Sequence, residues 1–107
     1  MNKTFFITGA SAGLGEKFTT LIANDAKNII IVGRNKNKLL RLKKKIYKIN
    51  TKVNVINLIA DLSSNFGVNK LIKKFAKQKK IEFVDVLVNS AANFTVKKIE
   101  NISINEF

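Results

Sequence analysis

Two kinds of hydrophobic pattern alternate along the chain. Short apolar runs lie at Thr4–Thr8, Asn28–Gly33, roughly Val53–Ala60 and Phe83–Asn89, and such runs are typical of strands buried on both faces of a parallel sheet. Between them, apolar residues recur at intervals of three and four, which predicts amphipathic helices. The helical positions are Leu14, Phe18, Leu21 and Ile22, then Leu39, Leu42, Ile46 and Ile49, and finally Val68, Leu71, Ile72 and Phe75.

Strands that alternate with helices of this length predict an α/β fold with a parallel sheet and right-handed crossovers. The chain has 107 residues, a length that favours one domain. Because it contains neither Cys nor His, disulfides, thiolate metal sites, a Cys nucleophile and the commonest general base are excluded, and we expect no metal site. The sequence has no signal-peptide pattern and no apolar run long enough to span a bilayer, so we expect a cytoplasmic protein without a transmembrane segment.

The formal net charge of +13 allows two interpretations. A basic surface suits a nucleic acid or an anionic membrane, so a basic, non-enzymatic binding protein is one alternative. However, only Arg34 and Arg41 are arginines, which leaves 20 − 2 = 18 lysines. The lysine clusters fall on predicted helices as solvated faces would, and no aromatic residues interleave with them. We therefore expect no nucleic-acid partner.

A glycine-rich segment, Thr8–Gly15, separates the first predicted strand from the first predicted helix. Gly9 permits a tight turn, Gly13 lets the backbone approach a phosphate, and Gly15 lets the helix pack closely on the strand. This is the place where a dinucleotide's pyrophosphate binds in folds of this kind. We expect cofactor contacts from Gly9, Ser11, Ala12, Gly13, Leu14 and Gly15.

Two segments resemble one family. Thr-Gly-x-x-x-Gly-x-Gly at Thr8–Gly15 resembles the glycine motif of the short-chain dehydrogenase/reductase family, and Val86–Ala92 resembles its Asn-Asn-Ala-Gly segment, with Ser90 and Ala92 as departures. The resemblance covers nearly all of the chain and four of the family's seven strands. It implies a Rossmann-type, doubly wound parallel sheet with strand order 3-2-1-4, truncated after about four strands. Residues 1–107 would then be one partial dinucleotide-binding domain from the amino-terminal half of an oxidoreductase.

The same resemblance suggests the remaining cofactor contacts. Gly33 stands where an acidic residue would hold the adenosine ribose, and the guanidinium of Arg34 suits a 2′-phosphate, so we expect NADP(H) rather than NAD(H), with Asn35 adding a polar group nearby. Asp61, followed by Leu62, matches the family position that hydrogen-bonds the adenine amino group; a helix N-cap is the alternative role for Asp61. In the family, the Asn that Asn89 matches steadies the central sheet, and small residues such as Ala91 leave room for the cofactor ribose, so we expect Asn89 and Ala91 at the cofactor site.

The family's catalytic residues have no counterpart in the sequence. Hydride transfer between NADP(H) and a carbonyl or alcohol uses a Tyr-x-x-x-Lys pair in this family, but Tyr47 is the only tyrosine and Thr51 lies four positions after it. Ser103 and Glu106 form a capping-box pattern at the end of the chain, which predicts truncation. We expect a chain that is inactive alone, either a gene fragment or half of a split reductase with a complementary carboxy-terminal chain. An unpaired fourth strand would favour self-association.

Overall fold

The computed structural model describes residues 3–10, 13–77, 81, 83–89 and 95–97. Five strands form one sheet in the order β3-β2-β1-β4-β5. The strands are β1 (Lys3–Thr8), β2 (Ala26–Gly33), β3 (Asn54–Ile59), β4 (Val86–Asn89) and β5 (Thr95–Lys97). The helices are α1 (Gly13–Ile22), α2 (Lys36–Ile49) and α3 (Asn65–Lys77), and a short 3₁₀ turn at Ala23–Asp25 follows α1.

The three strand pairings that the family predicts are parallel. β1 lies between β2 and β4, and β2 lies between β1 and β3, all in parallel register. The order 3-2-1-4 is therefore confirmed. The second strand is the most deeply buried element, since Ile29, Ile30, Ile31 and Val32 are fully buried. This agrees with the unbroken apolar run, which leaves no polar face to point toward water.

The sheet has a separate hydrophobic core on each face. Alternating side chains of β1 and β2, such as Ile7 and Ile31, pack with Leu39 and Ile46 of α2. The intervening side chains pack on the other face with α3, whose Leu71 is fully buried. Two helices therefore cover one face and one helix covers the other, as the sequence predicts.

In α1 the structure differs from the predicted apolar stripe. Phe18 and Ile22 pack against the core, whereas Leu14 is 65% exposed and Leu21 is 71% exposed. From helical spacing alone, all four residues are expected to pack against the sheet. However, α1 is short, and only one side of it reaches the sheet. The two exposed leucines are thus surface residues.

The fourth strand is not an edge, which corrects the prediction made from the family topology. β5 pairs antiparallel with β4, with Val88 opposite Val96 and Asn89 opposite Thr95. Only residues 90–94 separate the two strands. A connection this short allows an antiparallel return, whereas a parallel neighbour needs a crossover of a dozen or more residues. Because β5 occupies this edge of β4, β4 is not available for self-association through an unpaired edge.

A row of polar groups joins the amino-terminal ends of four strands. The Thr4 amide donates to the carboxylate of Asp85 at 2.8 Å, and the Asp85 amide donates to the Thr4 carbonyl at 2.9 Å. Asn28 then donates to the Thr4 hydroxyl at 2.9 Å, and Asn54 donates to Asn28 at 3.3 Å. These bonds fix the register at the end of the sheet opposite the glycine-rich turn.

Among the helices that the structure describes, none has the length and apolar character needed to cross a membrane.

Candidate functional site

The carboxyl ends of the parallel strands bring the predicted cofactor residues to one edge of the sheet. Thr8 lies opposite Val32 and Asn89, and Gly33 lies opposite Ile59. The turns that follow these strands begin at Gly9, Arg34 and Ala60. Two backbone hydrogen bonds tie the turns to the neighbouring strands, from Ala10 to the Val32 carbonyl at 3.1 Å and from Ala60 to the Gly33 carbonyl at 3.0 Å.

The glycine-rich turn has the backbone conformation that its sequence predicts. Gly9 has φ 62° and Gly13 has φ 60°, a region that L-residues with side chains rarely adopt. Within the described part of the chain, a Cβ added at Gly13 would meet no atom within 4 Å. The turn therefore has open space beside its backbone, which is what a phosphate group resting on backbone amides needs.

The start of α1, directly after this turn, is stabilised by a buried hydrogen bond within the helix. Gly15 is buried, and its carbonyl accepts a hydrogen bond of 2.6 Å from the hydroxyl of the fully buried Thr19. Leu14, on the outer side, is exposed. Ser11 and Ala12, which were also predicted to contact the cofactor, lie outside the described residues.

Arg34 and Asn35 form the turn after β2. Arg34 is exposed. The side chain of Asn35 is the N-cap of α2, because its oxygen accepts a hydrogen bond of 3.1 Å from the Lys38 amide. Asn35 thus has a structural role that the sequence analysis did not assign to it, and its cap fixes where α2 begins beside Arg34.

Asp61 is exposed at the turn after β3, and it does not cap the next helix. Its Oδ1 accepts hydrogen bonds from the Ser63 hydroxyl at 2.7 Å and from the Ser63 amide at 3.0 Å. Ser64 caps α3 instead, since its hydroxyl oxygen accepts from the Gly67 amide at 3.1 Å. The alternative role of Asp61 as the N-cap is therefore wrong. The side chain of Leu62 packs against the core beneath α3. Only the backbone of Leu62 is therefore left to face the candidate cofactor site.

The charge state of Asp61 is set by these neighbours. The Ser63 hydroxyl lowers the pKa of the Asp61 carboxyl most, followed by the Ser63 amide; desolvation opposes them, and the positive charge of Arg34 makes the smallest contribution to the lowering. Hydrogen bonds to a carboxylate favour its ionised form. Asp61 is therefore an anion at neutral pH, and Arg34 and Asp61 lie close enough to interact electrostatically.

Thr8 orients Asn89, a link that the motif does not reveal by itself. The Thr8 hydroxyl donates to Asn89 Oδ1 at 2.8 Å, and it lies 3.4 Å from the Val88 carbonyl. Thr8 is 1% exposed and Asn89 is half-buried, so this contact is partly shielded from water. The sequence pattern predicts only that Thr8 belongs to the first strand; the register of β1 on β4 places it opposite Asn89 and gives it this role. Ala91 lies outside the described residues.

A sequence profile of the short chain dehydrogenases matches residues 3–107. The chain belongs to this family. It is 28% identical over 106 residues to an uncharacterized oxidoreductase of Staphylococcus aureus strain USA300, covering 99% of this chain and 43% of that protein. It is 35% identical over 104 residues to 3-ketodihydrosphingosine reductase of Bos taurus, covering 94% of this chain and 31% of that protein.

Solved structures of the family share the fold. YwfH, described as an NADPH-dependent reductase involved in bacilysin biosynthesis, has a TM-score of 0.76 at 24% identity, covering 99% of this chain and 41% of YwfH. L-sorbose reductase from Gluconobacter frateurii, solved with NADPH and L-sorbose, has a TM-score of 0.73 at 22% identity, covering 95% and 38%. The chain thus spans less than half the length of these relatives, and it has a Rossmann-type fold.

Proposed function

We propose that the chain is the NADP(H)-binding portion of a short-chain dehydrogenase/reductase. The observation that carries the proposal is the turn at Gly9 and Gly13, whose positive φ angles and open space suit a pyrophosphate. Family membership supports the same interpretation. When bound, the nicotinamide would supply or accept the hydride in the oxidoreductase chemistry of the family.

The described residues suit the other parts of the dinucleotide. Amides of the Gly9–Gly13 turn and the start of α1 would hold the pyrophosphate, because helix N-termini attract anions. The Asp61 carboxylate would accept the adenine amino group. Asn89, held by Thr8, would border the ribose. The positions of Ser11, Ala12 and Ala91 in the motifs make them further candidates for contact.

Arg34 is the residue that we expect to select NADP(H) over NAD(H). Its guanidinium is exposed at the end of β2, where an acidic side chain would favour an unphosphorylated ribose and a cation favours a 2′-phosphate. A guanidinium can hold a phosphate with two hydrogen bonds. Asn35 contributes less to this choice, because its side-chain oxygen caps α2.

Calorimetric titration of the chain with NADPH and NADH tests the proposal. We expect tighter binding of NADPH, and we expect Arg34→Ala to weaken NADPH binding about tenfold, as the loss of one charged hydrogen bond does, with little effect on NADH. Arg41→Ala, which removes a cation from α2 instead, is the matched control. Equal affinities for both cofactors in the unmodified chain would contradict the preference, and no binding of either would contradict the function.

We further propose that these 107 residues do not transfer hydride alone. Tyr47 packs partly buried against the core and lies on α2, with Lys43 6.0 Å above its ring. Tyr47 does not match the family's Tyr-x-x-x-Lys pair, because Thr51 stands four positions after it. Activity would then require the rest of the fold, from a longer chain or a complementary carboxy-terminal chain. NADPH oxidation by the 107-residue chain with any carbonyl substrate would contradict this.

A further inference from the structure

The first turn of α3 lies directly against the backbone of Asp61. A Cβ added at Gly67 would overlap the Asp61 carbonyl oxygen and would come 2.7 Å from the carbonyl carbon. Gly67 is buried, and its amide donates to the Ser64 hydroxyl oxygen that caps the helix. No side chain fits between α3 and the Asp61 peptide group. The position of Asp61 is therefore set by how closely α3 approaches.

A second contact from α3 fixes the strand end just before Asp61. Lys74, on the second half of α3, donates from its Nζ to the Ile59 carbonyl at 2.8 Å. β3 is the outer strand of the sheet on this side, so β2 is its one neighbouring strand in the sheet. Lys74 adds a hydrogen bond to β3 from α3, through the Ile59 carbonyl. On the β2 side, the Ala60 amide is bonded to Gly33. The segment from Ile59 to Asp61 is thus held from two elements.

We propose that Gly67 and Lys74 are positioning residues for base recognition in the dinucleotide site. They hold the Asp61 backbone so that its carboxylate, already oriented by Ser63, faces the adenine amino group. They thereby set the preference for adenine over a base without that group. This inference rests on the proposed function, because it concerns how one of its contacts is held in place.

Substitution of Gly67 separates this role from helix stability. Alanine is a better helix former than glycine, so a purely local view of α3 expects Gly67→Ala to be harmless or stabilising. The overlap with Asp61 predicts that α3 and the Asp61 peptide move apart instead. Hydrogen bonds weaken steeply with small changes of distance and angle, so the carboxylate loses the amino group while the phosphate turn, on another element, is unaffected.

The experiment compares two ligands on the full chain. One is NADPH, and the other is its hypoxanthine analogue, in which a carbonyl oxygen replaces the adenine amino group. Titration calorimetry gives the ratio of the two affinities, with circular dichroism to verify folding. We expect the unmodified chain to favour NADPH about tenfold, since a hydrogen bond to a charged group gives discrimination of that order. We expect Gly67→Ala to reduce the ratio to about twofold or less through weaker NADPH binding.

One further single variant and one pair of variants control the result. Asn69→Ala changes an exposed residue of the same helix and should keep the tenfold ratio. Lys74→Met removes the bond to Ile59 and should lower the ratio, whereas Lys74→Arg keeps a cationic donor and should retain it. A general loss of stability would weaken both ligands equally and leave the ratio unchanged. If Gly67→Ala does not fold, the Lys74 pair decides the question by the same criterion.

The outcomes distinguish the two proposals. If the unmodified chain binds both ligands with a tenfold preference and the folded Gly67→Ala and Lys74→Met variants keep it, the positioning role is wrong and the function stands. If the unmodified chain binds both ligands equally, Asp61 does not read the base and the positioning role fails with it. If it binds neither ligand, the proposed function itself is wrong.

Discussion

The hydroxyl of Thr8 joins the first strand to the residue that borders the proposed ribose site. It donates to Asn89 at 2.8 Å in a partly buried contact, in which Thr8 itself is almost fully buried. Shielding from water makes such a bond matter more than its exposed counterpart would. Thr8 therefore links the glycine-rich turn, which begins at the next residue, to the end of β4.

We predict that Thr8 and Asn89 are energetically coupled. Thr8→Val keeps the shape of the side chain and removes the donor, and Asn89→Ala removes the acceptor. A double-mutant cycle by urea denaturation should give a coupling free energy of about 1 kcal/mol, the usual net value of such a bond. A coupling close to zero would show that the contact does not stabilise the fold.

The ionisation of Asp61 offers a second test at the residue scale. Ser63 is the main reason why the pKa of Asp61 is lowered, so Ser63→Ala should raise that pKa toward its ordinary value, and Ser63→Thr should leave it low. Carboxyl carbon NMR during a pH titration measures the change directly. An unchanged midpoint in Ser63→Ala would contradict the assignment.

The same shift gives a pH dependence of stability with a definite sign. Because folding lowers the pKa of Asp61, its ionised form stabilises the fold at a pH above the unfolded-state value of about 4. That stabilisation is lost as the pH falls through the lower, folded-state value. The unmodified chain and Ser63→Ala should therefore differ in unfolding free energy at neutral pH and converge in strong acid.

At the scale of elements, the join between β1 and β4 depends on Asp85 as well as on Thr8. We predict that Asp85→Ala lowers the unfolding free energy by about 1.5–3 kcal/mol, because the Thr4 amide loses a charged acceptor. Asp85→Asn keeps a side-chain oxygen and should cost less. Hydrogen exchange of the Thr4 amide provides a local readout, and equal exchange in all three proteins would refute the role of Asp85.

The sequence was most informative where one pattern allows one structure. The run Ile29–Val32 has no polar residue, so only burial on both faces suits it. Gly9 and Gly13 stand at turn positions that require positive φ, and both adopt it. At these two glycines, the family motif and the need for a positive φ predict the same residue. The strand order was predicted from the family resemblance.

Other features could not be predicted because they depend on contacts between elements. Asp61, Ser63 and Ser64 are all good N-cap residues, and only the packing of α3 on Asp61 decides that Ser64 is the cap. Gly67 belongs to no motif, since its importance comes from a carbonyl six residues earlier. The antiparallel pairing of β5 depends on a short connection that the family topology did not anticipate.

For the whole molecule, the sheet brings the proposed cofactor residues to one edge, within a chain that spans 43% of a Staphylococcus aureus relative. A domain of this size buries a smaller share of its surface than a larger one does. Its stability should consequently respond strongly to a ligand that binds only the folded state. Apolar side chains such as Leu21 and Phe83 are exposed, so we still predict self-association. Light scattering at increasing protein concentration would test this prediction.

The most direct test of the central claim is thermal unfolding of the chain with and without NADPH. Ligand at 100 times its Kd should stabilise the fold by about 2.7 kcal/mol, which corresponds to a rise in Tm of about ten degrees or more for a domain of this size. NADH should give a smaller rise, and Gly13→Ala, whose methyl group would enter the phosphate space, should give little. An unchanged Tm with both cofactors in the unmodified chain would contradict the account.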